Sequence, residues 1–92
     1  MREAAIEAYL TSKVQALGWL SYKFVSPGTR GVPDRILISP TGRVMFIEVK
    51  REDGIVSPSQ HYQLSRLIGH SCDARIVWSR ADVDALFAGI PA

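Results

Sequence analysis

The strongest constraint on this chain is a break, Pro40–Thr41–Gly42, between two apolar runs: DRILIS (34–39) and RVMFIEVK (43–50). Proline presets the first corner of a type I turn, and glycine accepts the left-handed position that follows. That is the chemistry of a three-residue hairpin loop. With this loop Ser39 faces Arg43, and the antiparallel partners follow as Ile38–Val44, Ile36–Phe46 and Asp34–Glu48. A two-residue loop would shift the pairing and separate the two acids.

Side chains alternate along a strand, so Val44, Phe46, Glu48 and Lys50 share a face with Ile36, Ile38 and Asp34. That face is apolar near the turn and charged at its far end. Directly opposed side chains have Cβ atoms about 4.5–5.5 Å apart, and like charges there repel. Either one carboxyl is protonated or a cation lies between them. Lys50 supplies one positive charge, and a divalent metal would supply the rest. Mg²⁺ binds carboxylate oxygens at about 2.0–2.1 Å and keeps several waters. A metal-held water beside a lysine suits phosphodiester cleavage.

The rest of the chain supplies the surrounding elements. Ile6, Leu10, Val14 and Leu17 recur at helical spacing and predict a helix over Arg2–Leu17, stopped by Gly18. Glu7 falls on the margin of that stripe. Trp19–Phe24 reads as a strand, and Val25–Pro33 as a Gly- and Pro-rich loop. Arg51–Val56 is a second polar loop. Ser57 caps a helix with Pro58 at its first position, running to about Ile68 and ended by Gly69. Ala74–Trp78 is a short strand, and Ser79 caps a last helix, Arg80–Ala88. The fold class is α/β: a central mixed sheet flanked by helices, in the order α-β-β-β-α-β-α.

A chain of 92 residues is expected to be a single domain, 1–92. Folding at this size buries roughly 60–65% of the unfolded surface, which leaves marginal stability and favours a partner subunit. A single cysteine, Cys72, excludes an internal disulfide and a zinc-finger spacing and fits a reducing compartment. The first residues lack a signal core, and no run approaches the ~18 apolar residues of a membrane span. The expectation is a soluble, cytoplasmic protein. A net charge of +2 with a pI near 9.0 is compatible with nucleic acid without requiring it.

Pro33–Asp34 followed by Glu48–Val49–Lys50 resembles the PD-(D/E)XK nuclease core. Glu7 in the first helix and Gln60 after the SPSQ start sharpen the resemblance to the virus-type replication-repair nucleases (VRR-NUC), in their minimal stand-alone form. That branch is similar to archaeal Holliday-junction resolvases. The resemblance implies a restriction-endonuclease-like core and Mg²⁺- or Mn²⁺-dependent DNA cleavage. Carried over, Asp34, Glu48 and the Val49 carbonyl would be metal ligands, and Glu7 would hold a metal water or a second ion. Lys50 would orient or help deprotonate the attacking water, and Gln60 would position Lys50 or that water. A homodimer acting on branched DNA is implied, and two sites suit the symmetry of a four-way junction.

Each residue also has a plainer reading. Asp34 and Glu48 could form strand-end salt bridges with Arg35 or Lys50. Glu7 could be a surface acid paired with a nearby base, and Gln60 a first-turn polar residue. Ser26, Thr29, Arg30, Arg51 and Lys23 are candidate DNA contacts, and solvated surface positions are the alternative for each. Tyr22 is expected as a buried strand residue, although it could stack on a base. His61 and His70 are expected on helix surfaces or caps. A silent DNA-binding module of the same fold, and a plain structural domain, are the rival functions.

Overall fold

The computed structural model describes residues 1–90. Its elements follow the expected order: α1 (Glu3–Ala16), β1 (Leu20–Lys23), β2 (Arg35–Ile38), β3 (Val44–Val49), α2 (Pro58–Gly69), β4 (Asp73–Val77) and α3 (Arg80–Phe87). One four-stranded sheet carries them in the order β1-β2-β3-β4. The first three strands pair antiparallel, and β4 joins β3 in parallel, with α2 as the crossover that a parallel pair requires.

The central hairpin has the three-residue loop. Ile38 pairs with Val44 and Ile36 with Phe46. Ser39 N–H donates to the Arg43 carbonyl at 2.8 Å, and Gly42 N–H to the Ser39 carbonyl at 3.0 Å. Gly42 takes φ 89°, the left-handed conformation that closes such a turn. The caps are also in place. Ser57 and Gln60 form a reciprocal capping box at α2, and Ser79 accepts from Asp82 N–H at α3.

Alternation along β2 and β3 yields two apolar faces, and only one becomes the core. Leu37, Met45, Ile47 and Val49 are fully buried against Ile6, Leu10 and Val14 of α1 and against Val83 and Leu86 of α3. The face carrying Ile36, Ile38, Phe46 and Glu48 is the less covered one. There α2 packs against β4, contributing no buried residue of its own, and leaves the β1–β2 half open. Tyr22 is therefore 55% exposed, not buried as its strand position suggested. Leu17 also departs from the expected stripe. It caps α1 and remains exposed, because the helix ends before it turns inward.

Side chains lock α1 to α3 beyond the core. Tyr9 donates to Asp84 at 2.7 Å, and Lys13 pairs with the same carboxylate at 3.0 Å. Trp19 meets Phe87 edge to face, with centroids 5.1 Å apart. His61 is exposed and His70 caps α2. Among the described residues, no helix is long and apolar enough to cross a membrane.

Candidate active site

Asp34 stands one residue before β2, and its position is fixed from three sides. Pro33 is fully buried. The Asp34 carbonyl accepts from Phe24 N–H at 2.8 Å. Its carboxylate Oδ2 accepts from Val49 N–H at 3.1 Å, across the open end of the hairpin. Gly31 gives the preceding loop its path. It sits at φ 86°, and a Cβ there would fall on the Ser59 carbonyl in the first turn of α2. Only glycine lets this loop press so closely against α2.

Glu48 extends the same register by one pair and is only 3% exposed. Burial pushes its carboxyl up to about 9, reinforced by a hydrogen bond with Asp34 and by the Asp34 charge. Lys50 pulls in the other direction without offsetting the rise, and Glu3 adds to it. Without a cation, the pair keeps a proton that a free carboxyl would lose well below neutral pH. Among the described residues, no ion pair involves Asp34, Glu48 or Lys50. The plain strand-end salt bridge to Arg35 is absent, because Arg35 is turned to another acid.

That acid is Glu7. Its Oε1 accepts from both Nε and Nη2 of Arg35, at 3.0 and 2.8 Å. Glu7 is thus paired with a base contributed by the strand beneath α1. Glu3, one helical turn earlier, is the α1 acid whose charge reaches Glu48. It also lines an open groove of about 510 Å³ with Arg2, Lys50, Arg51, Gly54 and Ile55. Glu3 is an acid of the site that the family motif does not single out. Residues four apart share a helix face, so the same periodicity that drew attention to Glu7 also marked Glu3.

The remaining candidates are placed as follows. Lys50 is half-buried at the end of β3, with its N–H donating to the Val77 carbonyl at 2.9 Å. Gln60 uses its side-chain oxygen to accept from Ser57 N–H at 2.9 Å, so that oxygen serves the helix cap. Thr29 and Arg30 are exposed in the loop before Asp34, where Thr29 N–H donates to the Ser26 carbonyl at 3.1 Å. Lys23 is exposed on the edge strand. Arg51 is exposed and pairs with Asp53 at 3.0 Å.

Two facing carboxyls, one of them buried, fit a hard divalent cation better than they fit each other. Their oxygens are the donors Mg²⁺ and Mn²⁺ take. Among the described residues, no cluster of three or more Asp, Glu, His or Cys side chains forms a metal cage. Asp34 and Glu48 would offer such an ion two carboxylates, a donor set with which Mg²⁺ retains several waters.

A family model described as the VRR-NUC domain matches residues 5–81, a span holding Glu7, Asp34, Glu48, Lys50 and Gln60 and ending after the start of α3. The chain belongs to the VRR-NUC family. It is 38% identical over 92 residues to a protein of Acyrthosiphon pisum secondary endosymbiont phage 1 named "Putative nuclease p44", covering 98% of this chain and 96% of that one. A solved structure described as a VRR-NUC domain superposes with a TM-score of 0.89 at 30% identity, over 97% of both chains. A second, described as a VRR-NUC domain protein, gives 0.73 at 13% identity over 95% and 85%, and supports the fold alone. Glu3 lies just outside the span matched by the VRR-NUC model.

Proposed function

We propose that this VRR-NUC chain is a divalent-metal-dependent DNA endonuclease that hydrolyses phosphodiester bonds in branched DNA and acts as a homodimer. The observation that carries the reading is the opposition of Asp34 and Glu48 at the end of the hairpin, with Glu48 3% exposed and Lys50 on the same face. A structural domain gains nothing from burying one acid against another. A silent DNA-binding module of this fold would have no use for the pair either.

Asp34, Glu48 and the Val49 carbonyl would hold Mg²⁺ or Mn²⁺, which would supply Lewis-acid charge at the scissile phosphate and make the attacking water more acidic. The chain's own residues do the remaining work. Asp34 and Glu48 fix the centre relative to β2 and β3. Lys50 orients the water and stabilises charge gathering on the phosphate oxygens in the transition state. The water oxygen bonds to phosphorus as the bond to the leaving sugar oxygen breaks, and that oxygen leaves with a proton. The free NH₂ of Gln60 can donate to the water or substrate while its oxygen holds the cap. Glu3 and Glu7 enter differently: Glu3 extends the acidic side of the groove, and Glu7 holds Arg35 in place.

Ser26, Thr29, Arg30, Lys23 and Arg51 are the proposed DNA contacts: Arg51 lines the groove, and the others are donors in or beside the loop before Asp34 that can position phosphates without reading bases. The homodimer is supported by the open half of the sheet. Leu20, Tyr22 and Val44 are 51%, 55% and 40% exposed there, beside half-buried Ile36 and Ile38, with no charge among them. A second copy would cover that face. The test is a labelled four-way junction incubated with the protein in Mg²⁺ and, in parallel, in EDTA. Nicking in Mg²⁺ alone is expected; none at any protein concentration removes the enzyme reading.

A further inference from the structure

Among the described residues, the most exposed large apolar side chain is Ile55, at 85%. It lies in the loop between β3 and α2, on the wall of the groove that contains Lys50. A single exposed isoleucine is ordinary on a protein surface. This one is held by a constrained loop. Lys50 N–H is tied to Val77, and Gly54 N–H donates to the Arg51 carbonyl at 2.8 Å, closing a turn immediately before Ile55. A Cβ on Gly54 would stand only 3.0 Å from that carbonyl. Two residues after Ile55, the capping box at Ser57 fixes the other end.

The rim around Ile55 decides what it can meet. Arg2, Lys50 and Arg51 bring three cations to the groove against the one acid Glu3. Asp53 neutralises Arg51 through an exposed contact, 63% and 82% open, that a phosphate can replace. A cationic rim around a protruding apolar side chain suits a polyanion with apolar faces inside it. Stacked bases behind phosphates are such a partner, and apolar wedges inserted between base steps are a known means of opening a duplex.

We propose that Ile55 is a wedge that enters the base stack of DNA held in the Lys50 groove and favours steps whose stacking is already weakened, as at a branch point. This rests on the DNA-nuclease reading of the same site. In continuous duplex the wedge must break a fully stacked step, whereas at a branch the step is held by weaker stacking and opens at lower cost. The residue therefore selects the substrate's structure instead of its sequence.

The test uses the full chain, a four-way junction and a linear duplex of matched sequence, each carrying 2-aminopurine at the corresponding step. Binding is followed in EDTA, so that no cutting intervenes. Wild-type protein should raise the 2-aminopurine fluorescence of the junction as the base leaves its neighbours. Ile55→Ser should lose that rise, and in Mg²⁺ its junction-to-duplex ratio of kcat/KM should fall by roughly tenfold. Ile55→Leu should restore both. An unchanged fluorescence rise and an unchanged ratio in Ile55→Ser would overturn the wedge while leaving the nuclease intact. Failure of the wild type to bind either DNA in EDTA, together with no cutting of either in Mg²⁺, would overturn the nuclease reading and the wedge with it.

Discussion

The main-chain N–H of Val49 donates to the Asp34 carboxylate across 3.1 Å, joining β3 to the residue just before β2. This bond closes the open end of the hairpin and holds Asp34 beside the carbonyl proposed as the third ligand. It also leaves Glu48, between Val49 and the apolar run, facing the same acid. The geometry of the site therefore follows from the strand register, and the register follows from the Pro40–Gly42 turn.

The raised Glu48 carboxyl has a definite sign in stability. Its ordinary value is 4.5 and its folded value about 9, so between those limits the folded chain binds a proton the unfolded chain has lost. Metal-free protein should lose stability as pH rises through this window, by up to about 1.4 kcal/mol per pH unit for one proton. Asp73 acts in the opposite sense: despite its burial, hydrogen bonds from Arg75 and Arg43 hold it low, and that stability is lost only in acid. Thermal melts in EDTA should therefore give a lower Tm at pH 8 than at pH 5. Mg²⁺ should raise Tm more at pH 8, where less proton competes.

Glu3 and Glu7 should separate cleanly. Glu7→Gln keeps an acceptor oxygen but removes the charge that pairs with Arg35, whose side chain is 19% exposed, and should cost about 1 kcal/mol after allowance for solvent. Glu3→Gln touches no recorded partner and should leave Tm unchanged. Its effect should be on cutting, with the Mg²⁺ concentration for half-maximal rate rising by roughly tenfold. Denaturant melts and a metal titration of the rate check the two halves. If Glu7→Gln alone shifts the metal requirement, the assignment is reversed.

The difference between those acids shows where the sequence stops being informative. The turn chemistry at Pro40–Gly42 fixed the hairpin, and Ser57 and Ser79 marked two helix starts within a residue. Periodicity assigns a helix face but not its height over the sheet. Glu3 and Glu7 share a face one turn apart, and only the packing of α1 gives Arg35 to one of them. Alternation in β2 and β3 likewise produced two apolar sets without ranking them. Which set became the core depended on α1 and α3 lying together on one side, a relation between elements distant in sequence. The exposure of Tyr22 has the same origin.

Gly31→Ala should disturb the site without touching a charged group. The added Cβ meets the Ser59 carbonyl, and φ 86° is unfavourable for alanine. The expected loss is about 1–3 kcal/mol. Because the loop leads directly to Asp34, cutting should fall as well. A melt and a cleavage assay on the same preparation test this; wild-type values in both would show that the loop can move aside.

The dimer can be tested on the open sheet face. The wild-type chain of 10.2 kDa should scatter light as two copies, and Tyr22→Arg with Val44→Arg should scatter as one. Both positions are exposed, so the fold should survive and Tm should fall only as far as the lost partner requires. A double variant that remains dimeric would place the interface elsewhere. A monomeric wild type at assay concentration would end the dimer reading.

The most direct measurement is a calorimetric titration of Mn²⁺ into wild type, Asp34→Asn and Glu48→Gln, with junction cleavage assayed in the same samples. Wild type should bind Mn²⁺, release close to one proton at pH 7, and cut. Each variant should stay folded, with Glu48→Gln more stable than wild type at pH 8 in EDTA, yet bind Mn²⁺ at least about tenfold more weakly and fail to cut. Wild-type Mn²⁺ affinity and wild-type cleavage in either variant would show that Asp34 and Glu48 do not form the metal clamp.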